Sequence, residues 1–144
     1  MQANLRTGWQ PLAYALALTA IFTGVGSAYG ASMNVMLSGA QEVPPVTTSA
    51  TGSGTVTIGD DKSVSGSITT TGVMGTAAHI HEAPAGKNGP VIVPMTKRGD
   101  NMWTFAPGAK LTDAQMESLK AGNLYINVHS DANKGGEIRG QLKP

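Results

Sequence analysis

From Ser32 to Leu142, glycine and proline cut the chain into short stretches in which apolar and polar residues alternate, a pattern that leaves room for little besides β-strands. Met33, Val35 and Leu37 alternate with Asn34, Met36 and Ser38 in the first stretch. Thr51 to Ile58 and Ser63 to Thr70, rich in Thr, Val, Ile and Ser, flank the turn residues Gly59-Asp60-Asp61-Lys62 and predict a β-hairpin. Further strands are expected over Thr76 to Glu82, Val91 to Met95, Asn101 to Phe105, Leu124 to Ser130 and Gly136 to Leu142, with Pro94 closing the one that starts at Val91. Two prolines make Gln41 to Val46 an extended loop or sheet edge, and Ala83 to Pro90 is a second loop. Trp103 and Phe105 share one face of their strand and are expected to anchor the core.

One segment breaks the β pattern. Thr112 can cap a helix, Gln115 three residues on completes a capping box, and Leu111 with Met116 has the spacing of a hydrophobic staple. Gly122 stands where a helix ends in the left-handed conformation. Asp113 to Ala121 is therefore read as two turns packed through Met116 and Leu119, crossing from one sheet to the other. Seven or eight short strands and one brief helix predict an all-β antiparallel sandwich or barrel.

The first thirty residues stand apart. Met1 to Gln10 is polar with Arg6 and no acid, Pro11 to Val25 is apolar, and Gly26 to Ala31 is mostly small, which predicts a secretory signal peptide over residues 1–30, cut after Gly30 or Ala28, ahead of a domain over 31–144. The alternative, an uncleaved anchor, meets an apolar run shorter than the roughly 20 residues a span needs. Without Arg6 the ten basic residues of the chain become nine against nine acids, a balance that gives no general electrostatic grip on nucleic acid or anionic membrane. There is no cysteine, which excludes disulfides, thiolate catalysis and thiolate metal sites. An exported protein, periplasmic or extracellular and without a stable membrane anchor, is expected.

All three histidines fall in two of the expected strands, His79 and His81 in the first and His129 in the second. Because side chains alternate along a strand, His79 and His81 share a face opposite Ala78 and Ile80, and Tyr125, Asn127 and His129 share a face opposite Leu124, Ile126 and Val128. With the apolar sets buried, the imidazoles project from the outer face, and they converge if the two strands are neighbours. One reading is a metal site of three histidines; the other is polar surface without a common partner. Neutral imidazole suits copper and zinc, with copper ahead of zinc here. Glu82, Asn127 and Asp131 are candidates for orienting ring N–H groups, against an alternative of ordinary surface hydrogen bonding. Met36 and Met74 are candidate soft ligands, while the other methionines are assigned to core filling. Arg139 is expected either to pair with Glu137 along the last strand or to draw an anion toward the histidines. No nucleophile elbow and no phosphate loop is present, so hydrolase and nucleotide chemistry are poor assignments and no catalytic residue is named.

Three segments in this order, Leu37 to Val46 (LSGAQEVPPV), Thr76 to His81 (TAAHIH), and Leu124 to Ser130 (LYINVHS) followed by Gly135 to Leu142 (GGEIRGQL), resemble the CHRD domain, named for chordin and found also in bacterial exported proteins. The resemblance implies an immunoglobulin-like β-barrel with a limited similarity to copper/zinc superoxide dismutases. His79 and His81 resemble the strand of those enzymes that gives two copper ligands, and His129 a later ligand. A fourth histidine, a cluster of zinc ligands in Ala83 to Pro90 and a cysteine pair are missing, so the resemblance implies a mononuclear site at most. An exported binding module with a three-histidine metal site is the leading expectation. A mononuclear copper redox enzyme and a purely structural or adhesive domain stand as alternatives, and no protein partner is named.

Overall fold

The computed structural model describes residues 30–144; the expected signal peptide and its cleavage site lie almost entirely outside them. Eight strands follow in order: β1 (Ala31–Ser38), β2 (Thr51–Ile58), β3 (Val64–Thr71), β4 (Gly75–Glu82), β5 (Val91–Arg98), β6 (Met102–Phe105), β7 (Leu124–Ser130) and β8 (Ile138–Leu142), with a single α-helix, α1 (Asp113–Lys120), between β6 and β7. Each pairs antiparallel with its neighbours to close a barrel in the order β1-β2-β3-β6-β5-β4-β7-β8. Ser38 opposite Arg139 completes the ring between β1 and β8. Closure satisfies the edges that an open sheet would leave exposed.

The alternation read from the sequence turns Met33, Val35, Leu37, Val56, Ile68, Ile80, Trp103, Ile126, Val128 and Ile138 into the barrel, each 3% exposed or less. Ile126 is completely buried on β7, which is paired along both sides, to β4 and to β8. Ile126→Val removes one methylene from a packed interior and is expected to cost about 1 kcal/mol, measured as a lower urea midpoint with unchanged slope.

Helix α1 carries the capping box in full: the Thr112 hydroxyl accepts from Gln115 N, and Gln115 Oε1 accepts from Thr112 N at 2.9 Å. Asp113 in the first turn and Lys120 in the last match the helix dipole, and Gly122, at φ +75°, ends it. Leu119 and Leu111 join the core, with Met116 partly buried against it. The expected crossover between two sheets becomes a bridge within one closed sheet, since β6 and β7 are separated in the ring by β5 and β4.

β5 runs past Pro94 to Arg98, three residues beyond its expected end. The ladder with β4 reaches its limit at His79 opposite Pro94, and the ladder with β6 begins one residue later, at Met95 opposite Phe105. Proline sits at the handover between partners, where its missing N–H costs least.

The loop and 3₁₀ turn after β1, together with the loop between β4 and β5, fold over the outer face of β4, β7 and β8. Glu42, His81, Tyr125, Asn127, Glu137 and Arg139 are all buried there, so the domain carries a polar layer outside its apolar core. Among the described residues no helix is long and apolar enough to cross a membrane.

Candidate metal centre

β4 and β7 are adjacent strands, with Ala77 opposite His129 and His79 opposite Asn127. Neighbouring strands lie about 4.8 Å apart, and His79, His81 and His129 leave the same face, so the three rings meet. Each offers one nitrogen, and the three nitrogens lie within 4.8 Å of one another. His79 Nδ1 is 3.1 Å from His129 Nε2. Donors about 2.1 Å from one ion stand no more than about 4.2 Å apart, a spacing that small side-chain rotations reach from here.

Main-chain carbonyls select which nitrogen each ring presents. His81 Nδ1 lies 2.9 Å from Gly89 O and His129 Nδ1 lies 2.8 Å from Lys134 O. A carbonyl only accepts, so both Nδ1 atoms carry the hydrogen and both Nε2 atoms are left as lone pairs. His129 Nε2 then accepts from His79 Nδ1–H. His81 Nε2 is buried and has no hydrogen-bond partner, an arrangement that costs free energy unless something occupies it.

Burial is the main cause that pushes both His79 and His81 below the ordinary imidazole range; His129 and His81 push His79 further in the same direction. For His81 the Gly89 carbonyl and the nearby Asn127 side chain pull back upward, against further lowering by His129 and Arg139. Neutral rings are the form that binds metal.

The surroundings of the rings differ in part from the sequence expectations. Asn127 is buried beside them, with Nδ2 donating to Gly135 O at 3.4 Å. Glu82, one residue beyond His81, points to the other side of the strand, and its carboxylate accepts from Ser118 Oγ of α1. Asp131 lies exposed past the end of β7, and the position it was expected to fill beside His129 is taken by the Lys134 carbonyl. Met36 projects from β1, three strands round the ring from β4, or about 14 Å away at the usual strand spacing. Met74 is 89% exposed just ahead of β4, in a surface depression shared with Asp131 and Glu137.

Arg139 and Glu137 do not pair. Glu137 precedes β8 and accepts from the hydroxyls of Thr48 and Ser130, the latter chiefly holding its carboxylate below the usual range. The Arg139 guanidinium, 1% exposed, lies over the Tyr125 ring at 3.4 Å from its centroid. Tyr125 in turn stacks on His81, with centroids 4.9 Å apart and planes 7° from parallel, and its hydroxyl accepts from Gly89 N. Tyr125 thus touches the ring of His81 and steadies the residue whose carbonyl orients that ring. Its place on the histidine face was legible; its burial was not, because the cover comes from loops distant in sequence.

A family model for the CHRD domain matches residues 33–142. The chain belongs to the CHRD-domain family. No curated protein and no solved structure matches it. In this CHRD domain the three segments that carried the resemblance meet in space: β4 and β7 hold the histidines, β8 holds Arg139, and the loop after β1 brings Glu42 against Asn127.

Burial lifts the Glu42 carboxyl to about 7, against the opposing pull of Arg139, Asn127 and the Val43 backbone. Glu42 Oε1 and Asn127 Oδ1 are both buried acceptors without a donor, a mismatch that a proton on Glu42 relieves. A raised carboxyl pKa contributes stability that is complete below the unfolded value of 4.5 and is lost as pH rises through about 7. The lowered histidines act oppositely, their contribution being present above the unfolded value of 6.5 and lost as pH falls below it. Glu42→Gln supplies a donor without a charge and is expected to stabilise the metal-free protein at pH 8 by roughly 1–3 kcal/mol, with little gain at pH 5. Urea unfolding at the two pH values measures the difference.

Proposed function

We propose that this CHRD domain is an exported metal-binding module whose mononuclear site is made by a ring nitrogen of His79, which gives up its hydrogen bond to His129, together with His81 Nε2 and His129 Nε2, with copper the preferred ion ahead of zinc. The observation that carries the reading is the buried, unpartnered His81 Nε2 facing the other two rings, with two of the three tautomers set by main-chain carbonyls. An arrangement selected only for surface polarity would not leave a lone pair buried and empty. Three neutral nitrogen donors with an open fourth position suit copper or zinc and give hard oxygen-seeking cations nothing to hold.

The test is titration of the purified chain with Cu(I), Cu(II) and Zn(II). One equivalent bound by the wild type, and none at this affinity by a variant with all three histidines replaced by Ala, is the expected result; equal binding by the two proteins would remove the proposal. The alternative of a copper redox enzyme asks Arg139 to attract an anion. Its guanidinium is buried beneath the covering loop and committed to protein oxygens, so no specific observation favours that reading over binding.

A further inference from the structure

We propose that Arg139 acts as a fixed positive charge that makes the three-histidine site selective for a singly charged ion, Cu(I), over divalent ions. The inference rests on the reading of the histidines as ligands and specifies what they hold. A guanidinium is charged at every accessible pH. This one makes four hydrogen bonds, to Lys87 O, Asn88 Oδ1, Pro84 O and Gln141 Oε1, and every acceptor is a neutral oxygen. The salt bridges among the described residues join other groups: Lys62 to Asp113, Lys110 to Asp61 and Lys120 to Glu117. The cation is therefore held by dipoles and by the face of Tyr125 and forms no salt bridge; the one carboxyl that attracts it, Glu42, is lifted to about 7 by burial, so below pH 7 that group is mostly neutral and leaves the field of Arg139 largely uncancelled.

That field reaches the site. β7 lies between β4 and β8 in the ring, and Tyr125 on β7 is touched by His81 from one neighbour and by Arg139 from the other. Tyr125, Asn127 and Arg139 are each 2% exposed or less, so little water screens the path. The ligands bring no compensating charge, since all three are neutral imidazoles. Repulsion by Arg139 then scales with the charge of the ion. At about 10 Å and an effective dielectric of about 20, one extra unit of charge lowers relative affinity roughly tenfold. Arg139 touches no ligand ring and works through charge, as a specificity-determining residue.

The experiment measures affinities for Cu(I) and for Zn(II) at pH 6.5, where Glu42 is mostly neutral, by competition with chromophoric chelators without oxygen, in the wild type and in Arg139→Lys, Arg139→Gln and Asn88→Asp. The Arg139→Gln variant is expected to shift the ratio of affinities about tenfold toward Zn(II), whereas Arg139→Lys, which keeps the charge and loses the fork, holds the wild-type ratio. Asn88→Asp places a carboxylate at an exposed position whose Oδ1 now accepts from the guanidinium at 3.4 Å; it is expected to shift the ratio the same way by about threefold. An unchanged ratio in Arg139→Gln and Asn88→Asp, with histidine-dependent binding intact in the wild type, overturns the role of charge and leaves the metal site standing. Loss of histidine dependence in the wild type overturns the site and the selectivity together. Should Arg139→Gln fail to fold, Asn88→Asp decides alone.

Discussion

His81→Ala is expected to weaken metal binding by at least about a hundredfold, measured by chelator competition on folded protein. Losing an outer hydrogen-bond partner of a ligand costs ten- to hundredfold, so losing a ligand costs at least the upper part of that range. His81 is the deepest of the three, with its lone pair fully buried and its ring held on one face by Tyr125 and at Nδ1 by Gly89 O. His129→Ala is expected to match it, because it removes both a donor and the acceptor of His79 Nδ1. The pH dependence follows from the lowered pKa values of His79 and His81: protons compete only where the ring is protonated, so affinity stays level as pH falls from 8 to 6.5 and declines below that. Wild-type affinity in either variant would show that the rings do not share an ion.

Gly136→Ala is expected to destabilise the domain by about 2–4 kcal/mol, through strain and overpacking together. Gly136 has φ +130°, a conformation that L residues rarely adopt, and a Cβ there would collide with Glu42 Oε1 and Asn127 Nδ2. The side chains that would have to yield tie the loop after β1 to β7 beside His129. Thermal or urea unfolding gives the loss in stability. A second readout is metal affinity, which is expected to fall with it, since Lys134 O and Gly135 O in the same turn accept from His129 and Asn127. Stability within about 0.5 kcal/mol of wild type would mean that the loop has room to relax.

The strands were legible because a barrel wall alternates inside and outside with a period of two, and Ile80 between His79 and His81, or Ile126 and Val128 around Asn127, records that period directly. The helix was legible because Thr112 and Gln115 complete their cap within four residues. The histidine group was half legible. A shared face followed from alternation, whereas the pairing of β4 with β7 depends on contacts about fifty residues apart. Glu82 and Asp131 were chosen as orienting groups because they stand next to histidines in the chain. Alternation turns Glu82 to the other face and the end of β7 carries Asp131 into solvent, and carbonyls of Gly89 and Lys134 take the role instead. Main-chain acceptors leave no residue signature.

Ordering of the strands around a closed ring, and the two loops drawn over its outer face, belong to tertiary structure. Local pattern says which side of a strand avoids water, and it assigned Tyr125, Asn127 and Arg139 no burial because alternation sets each opposite the apolar face of its strand, and Glu42 none because it stands in a proline-rich loop. Only when Gly39–Val46 and Ala83–Pro90 close over β4, β7 and β8 do these groups lose solvent and acquire a raised carboxyl, a guanidinium held by neutral oxygens and a stacked histidine. Alternating hydrophobicity therefore determined the strands and the common face of the imidazoles. Long-range packing decided the dielectric around them, and with it the chemistry they can perform.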